Sequence, residues 1–194
     1  MLIGLLIWLF IESSKPIPGQ RLDSEGRDHV DIGTKVDYKT NPPTSGKHYG
    51  DWVRSGFYSE PKDDRNLVHS LEHGYVIMSY NCDKKGTGYR VQGTVYAHGI
   101  EEIATESSQA QSTSSALPAS FTSETCHKLV DQLISIYEKK GKIRLIVVPR
   151  PNLDSRIALT AWNYIDKFNE FDEQRITKFI DAHLNMGPEK TMEQ

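Results

Sequence analysis

The chain has 194 residues, 37% of them apolar and 25% charged, enough for one domain with a substantial core. With a mean hydropathy of −0.53, this composition excludes a disordered, fibrous or polytopic membrane protein. Lys and Arg number 23 against 26 Asp and Glu, a net charge of −3, and no basic block is interleaved with aromatics, so no nucleic-acid partner is expected.

Met1 to Ile11 (MLIGLLIWLFI) carry no charge. As a helix this run spans about 16 Å, half of a hydrocarbon core about 30 Å thick. Met1 is followed directly by Leu2 rather than by a basic segment, and no small-x-small cleavage pattern follows. Residues 1–15 therefore read as an N-terminal membrane anchor or signal segment, truncated at its start. Residues 16–25 read as a linker, and 26–190 as a single extracytoplasmic domain facing the periplasm or cell exterior. The membrane is the expected partner of the N-terminus; a protein partner is open and unidentified.

Within the domain, Asn41-Pro42-Pro43-Thr44-Ser45-Gly46 predicts a rigid turn, because two prolines fix φ and remove two donors. Asp51 to Asn66 reads as loop. Gly74 to Tyr80 (GYVIMSY) is β-branched and aromatic and predicts a strand. A polar, low-complexity stretch, Ser107 to Ser115, marks a disordered insertion near 84–121.

Beyond it, Cys126, Leu129, Val130, Leu133, Ile134 and Tyr137 fall at helical spacing, which predicts a helix near 124–139 stopped by Gly141. Ile143 to Val148 (IRLIVV) predicts a strand buried on both faces. Ile157, Ala158, Ala161, Trp162, Ile165 and Phe168 predict a helix near 155–168 capped by Asp154 or Ser155. Asp172 caps a last helix near 173–184, with Phe171 and Ile176 placed as a hydrophobic staple. The expected fold is α+β, or a small α/β, with a short central sheet packed by these helices.

Cys82 and Cys126 are the only cysteines, and neither has a second Cys at metal-ligand spacing. In an exported chain they predict a disulfide, which stabilises by roughly 4 kcal/mol in the chain-entropy model.

Four of seven histidines lie between residues 29 and 73: His29, His48, His69 and His73. In His69-Ser70-Leu71-Glu72-His73 the two histidines stand one helical turn apart, so both imidazoles can reach one cation at about 2.0–2.1 Å. On a strand they would be roughly 13 Å apart, so the metal reading requires a helical turn here. Glu72 lies at the edge of that face, as ligand, general base or acceptor. His48, directly after the Pro-Pro turn, is the natural third ligand, and His29 a fourth. Zinc and copper both suit imidazole. The same five residues spell the His-x-x-Glu-His order of inverted-motif zinc peptidases, although Gly74 and a strand follow at once. His98 and His127 sit in or beside the insertion, and His183 reads as a core histidine.

Gly26-Arg27-Asp28-His29, Asn41 to Tyr49 (NPPTSGKHY) and Val68 to Val76 (VHSLEHGYV) resemble the bacterial family called domain of unknown function 3105. Ala161-Trp162 and Gly187-Pro188-Glu189 resemble its C-terminal half. The resemblance implies a domain behind a single N-terminal membrane segment, supplies no established activity, and places His29, His48, His69, Glu72 and His73 at motif positions. The insertion and the shortened apolar run depart from the family pattern.

Three readings follow. The first is an anchored extracytoplasmic domain binding one transition metal, zinc or copper, through His48, His69 and His73, with His29 and Glu72 completing the shell. The second is a zinc-dependent hydrolase in which Glu72 is the base acting on a metal-bound water. The third is a non-catalytic interaction or assembly domain, with histidine rings too far apart to share a cation and each paired to a backbone carbonyl.

Overall fold

A computed structural model of the chain describes residues 16–83 and 117–191. The anchor expected at 1–15 and most of the expected insertion lie outside them. Six strands, β1 (Gln20–Arg21), β2 (Gly56–Phe57), β3 (Val76–Tyr80), β4 (Leu145–Pro149), β5 (Ile157–Ala161) and β6 (Tyr164–Phe168), form one mixed sheet in the order β1-β6-β5-β3-β4-β2. Three helices pack on it: α1 (Asp64–Glu72), α2 (Glu124–Lys139) and α3 (Glu173–His183). The fold is a small α+β domain. Among the described residues, no helix is long and apolar enough to cross a membrane.

The three interior strands explain why their sequences are apolar almost throughout. Every residue of β3, β4 and β5 is buried, because both faces of the sheet are covered. On one face Val76, Met78, Leu145, Val147, Ile157 and Leu159 pack against Leu129, Leu133 and Ile136 of α2 and Ile176, Phe179 and Ile180 of α3. The other face sets Ile77, Ile146 and Val148 against Leu67 and Leu71 of α1, flanked by Trp52 and Trp162. Each such fully buried aliphatic or aromatic side chain contributes about 1.5–3 kcal/mol. The first core holds the sheet together, and the second seats α1 on it.

β3 and β4 pair in parallel, joined through α2, while β5 and β6 pair antiparallel as a hairpin. The helices expected near 124–139 and 173–184 are α2 and α3, and Ser123 and Asp172 cap them by accepting from the backbone N–H groups of Cys126 and Arg175.

The helix expected near 155–168 is instead the β5–β6 hairpin. Its turn is Trp162-Asn163, with Asn163 at φ 61 in the left-handed region that Asn tolerates. Because β5 lies between β3 and β6 and is buried on both faces, it shows no alternation, and a short apolar run of that kind matches a helical stripe equally well.

The linker expected at 16–25 is also partly structured, since Gln20–Arg21 pair with Tyr164 and Ile165 at the sheet edge. The expected loop 51–66 contains β2 and the first turn of α1. At the far end of the expected insertion, Ala119–Thr122 form a 3₁₀ turn that buries Phe121 against Tyr80. Cys82 and Cys126 form a disulfide, linking the end of β3 to the first turn of α2.

Candidate metal centre

The helical turn that a shared cation requires is present in α1. Asp63 caps the helix through the N–H of Arg65, and residues 67 to 72 are all buried. Leu67 and Leu71 meet the sheet, which leaves His69, Glu72 and the C-cap His73 to another face. Gly74 ends the helix at φ 83, a conformation that a side chain would strain.

The C-terminal segment closes over that helix end and occupies carbonyls that a helix leaves without intrahelical partners. The N–H of Glu189 donates to Glu72 O at 3.1 Å and that of Asn185 to Gly74 O at 2.7 Å. The Arg144 guanidinium bridges His73 O and Thr191 O. Gly187 passes so close that a Cβ on it would stand 2.1 Å from Glu72 O.

His29 and His48 arrive from two segments paired in parallel. Gly46 N donates to Gly26 O, His48 N to Asp28 O and Val30 N to His48 O, at 2.8, 3.0 and 2.8 Å. Pro42, Pro43, Thr44 and Ser45 are buried beneath them. Asn41 anchors this turn: its Nδ2 donates to Asn152 O, and its Oδ1 accepts from Arg150, whose guanidinium also grips the Asp64 carboxylate at both oxygens. One buried arginine thereby fixes the turn carrying His48 against the start of the helix carrying His69.

The rings of His29, His48 and His69 form a near-equilateral set with centroids 4.8, 4.9 and 4.9 Å apart. With a Glu72 oxygen they offer four donor atoms, all within 4.8 Å of one another. Donors in a tetrahedral shell with bonds of about 2.1 Å stand about 3.4 Å apart, so the widest pairs must draw together by up to about 1.4 Å to close the set on a cation. His48, His69 and Glu72 are 0%, 4% and 3% exposed, while His29 opens to solvent.

The hydrogen bonds orient these rings for ligation. A carbonyl only accepts, so the 2.9 Å contact of His48 Nδ1 with Gly46 O and the 2.7 Å contact of His69 Nδ1 with Tyr49 O place the hydrogens on Nδ1. In the neutral ring Nε2 then carries the lone pair, the arrangement that backbone carbonyls impose on metal-bound histidines. Burial pushes the His69 imidazole down to about 4, and neighbouring His73, His48 and His29 reinforce this against the Tyr49 carbonyl. His69 is therefore a neutral donor at pH 7.

His48 Nε2 is buried without a hydrogen-bond partner, yet stands 2.9 Å from Glu72 Oε2. With the ring neutral two lone pairs face each other there, an arrangement that a metal ion bound by both atoms, or a proton shared between them, makes favourable. Arg27 supplies only a long contact to the other Glu72 oxygen, at 3.7 Å from a side chain 62% exposed. The residues present fit a metal ion.

His73 falls in a second group. Its ring lies 4.4 Å from that of His69, and its Nε2 is 3.6 Å from Glu189 Oε2, so His69, His73 and Glu189 offer three donors within 4.8 Å. The set His48, His69 and His73 expected from spacing is thus divided, with His69 common to both parts. Trp52 lies against His69 and His73, with ring centroids at 5.4 and 4.5 Å, and the Arg54 guanidinium stacks over its ring at 4.0 Å. Ser70 Oγ holds this loop by donating to Val53 O and accepting from Val53 N.

Glu189 and Trp52 were not singled out by sequence spacing. Glu189 had one signal, its place in the Gly-Pro-Glu element; Trp52 had none. Of the other histidines, His183 donates from Nε2 to Pro18 O and stacks on Tyr164 and Phe179 in the core, and His127 is exposed on α2. His98 lies outside the described residues.

Residues 29–92 and 117–194 match the model of the family described as Protein of unknown function (DUF3105), and the chain belongs to that family. No curated protein and no solved structure matches it.

Proposed function

We propose that this domain binds one transition-metal ion through His29, His48, His69 and Glu72. The observation that carries the reading is the convergence of four donors: the buried Nε2 of His48 stands 2.9 Å from a Glu72 oxygen, and the His29 and His69 imidazoles offer donor atoms within 4.8 Å of both. Three imidazoles and one carboxylate suit zinc or copper. With the Nδ1 hydrogens of His48 and His69 held by carbonyls, both rings are set for ligation before the ion arrives.

The hydrolase alternative asks Glu72 to remain off the metal as a base. Its oxygen is instead one of the four convergent donors, which favours binding over hydrolysis. The assembly alternative requires rings too far apart to share an ion, whereas these are 4.4–4.9 Å apart. Its carbonyl bonds are present, but they are equally what a metal site requires.

The reading extends to a domain held outside the cytoplasm by an N-terminal anchor. Its support is the uncharged run Met1 to Ile11 and the Cys82–Cys126 disulfide, a bond that persists in oxidising compartments.

Elemental analysis of chelator-washed protein reloaded with zinc or copper tests the centre. One ion per chain is expected, lost in His48→Ala/His69→Ala. A washed protein that takes up no stoichiometric metal, or a double variant that retains it, refutes the proposal.

A further inference from the structure

His69 has a single nitrogen to give, because its Nδ1 hydrogen is committed to Tyr49 O at 2.7 Å. Both donor groups include His69, and with Nδ1 so committed each has only Nε2 to use. Two ions cannot occupy both groups at once, but one ion can occupy either. We infer that His69, His73 and Glu189 form a second position for the same ion, through which the four-donor centre is loaded and emptied. This inference rests on the metal-binding reading above.

The two donor sets differ in what they leave open. Three imidazoles and a carboxylate close the tetrahedral shell of zinc, whereas two imidazoles and one carboxylate leave a position for an incoming ligand. Both sets reach the surface through one member, the four-donor set through His29 and the second through Glu189, whose side chain is 47% exposed, while His69 and His73 are 4% and 3% exposed.

Glu189 is held at that point by the fold. Its backbone N–H is bonded to Glu72 O, Gly187 packs directly on the helix end, and Arg144 ties Thr191 to His73 O. Trp52 lies against both His69 and His73 and covers them.

The exchange is a ligand substitution with no change of oxidation state. The ion keeps its bond to His69 Nε2, gives up those to His29, His48 and Glu72, and forms bonds to His73 Nε2 and a Glu189 oxygen. At this second position the open coordination site accepts a donor from outside: a small chelator, or an imidazole or thiolate of a partner that delivers or receives the metal.

Zinc-loaded protein mixed with excess EDTA reads the rate of release. Wild type, Glu189→Gln and His73→Ala should each hold one zinc, because the four-donor set is intact. The two variants should release it measurably more slowly than the wild type, because the ion must then leave the four-donor set without the intermediate ligands. Release at the wild-type rate in both variants overturns the inference. So does loss of bound zinc in Glu189→Gln, which would make Glu189 part of the main centre.

His48→Ala supplies a second test. It should retain a weaker zinc site that disappears when Glu189→Gln is added, and an absence of residual binding contradicts the second position. A wild-type protein that takes up no zinc fails at an earlier step, identifying the centre itself as the error. Circular dichroism of each variant establishes that it is folded.

Discussion

Gly187 rests on the carbonyl of Glu72 so closely that a Cβ would lie 2.1 Å from the oxygen and 2.3 Å from the nitrogen of Gly74. Backbone meets backbone there, and neither side can rotate away. The contact joins the last segment of the chain to the end of the helix that carries the candidate centre.

Gly187→Ala should therefore destabilise the protein by about 1–3 kcal/mol, the usual cost of overpacking. In a protein of this size that lowers the melting temperature by roughly 2–4 °C per kcal/mol. Differential scanning calorimetry checks it, and an unchanged melting temperature would show that the segment can lift off at no cost.

Removing the disulfide should cost more. Cys82 and Cys126 are 44 residues apart in sequence and 5.3 Å apart between Cα atoms, joining a central strand to α2. Cys82→Ala/Cys126→Ala is expected to lose about 2–5 kcal/mol, read as a lower denaturant midpoint. Reductant should shift the wild type in the same direction and leave the double variant unmoved.

Acid should weaken the fold through His69. Burial holds its folded value near 4, below the ordinary histidine value of 6.5, so the unfolded chain binds the proton more readily. The stabilisation is present above pH 6.5 and is lost as the pH falls toward 4. His183, also lowered by burial, acts in the same sense. Melting temperature measured from pH 7.5 to 4 should fall, and His69→Gln should show a shallower slope. Metal-loaded protein should release its ion over the same range, since protonated imidazole cannot ligate.

Much of this fold could be read from the residues alone. The periodicity of Cys126, Leu129 and Leu133 located α2, and GYVIMSY located β3, because each has one clear face or one clear composition. The β5–β6 hairpin was misread because IALTA is buried on both faces and its turn, Trp162-Asn163, lacks the glycine that usually marks a two-residue turn. Histidine density pointed to His29, His48 and His69, whose convergence depends on a parallel pairing that no local pattern announces. The i, i+4 relation of His69 and His73 is real, with rings 4.4 Å apart, yet it could not reveal that Glu189 approaches His73 from the far end of the chain. Carboxylates are common, and a lone one distant in sequence carries no periodic signal.

Trp52 offers an optical reading of metal binding. Its indole lies 4.5 Å from the His73 ring and 5.4 Å from that of His69, so copper(II) at the centre should quench its emission. Titration should show a break at one equivalent in the wild type and lose it in Trp52→Phe with binding retained. Quenching that rises without a break would indicate only surface binding.

The most direct measurement of the centre is X-ray absorption at the zinc or copper edge of protein loaded with one equivalent. The predicted shell is three imidazole nitrogens and one carboxylate oxygen at about 2.0–2.1 Å, with one imidazole lost in His48→Ala. A shell of oxygen donors only, or one unchanged in that variant, would contradict a centre built from His29, His48, His69 and Glu72.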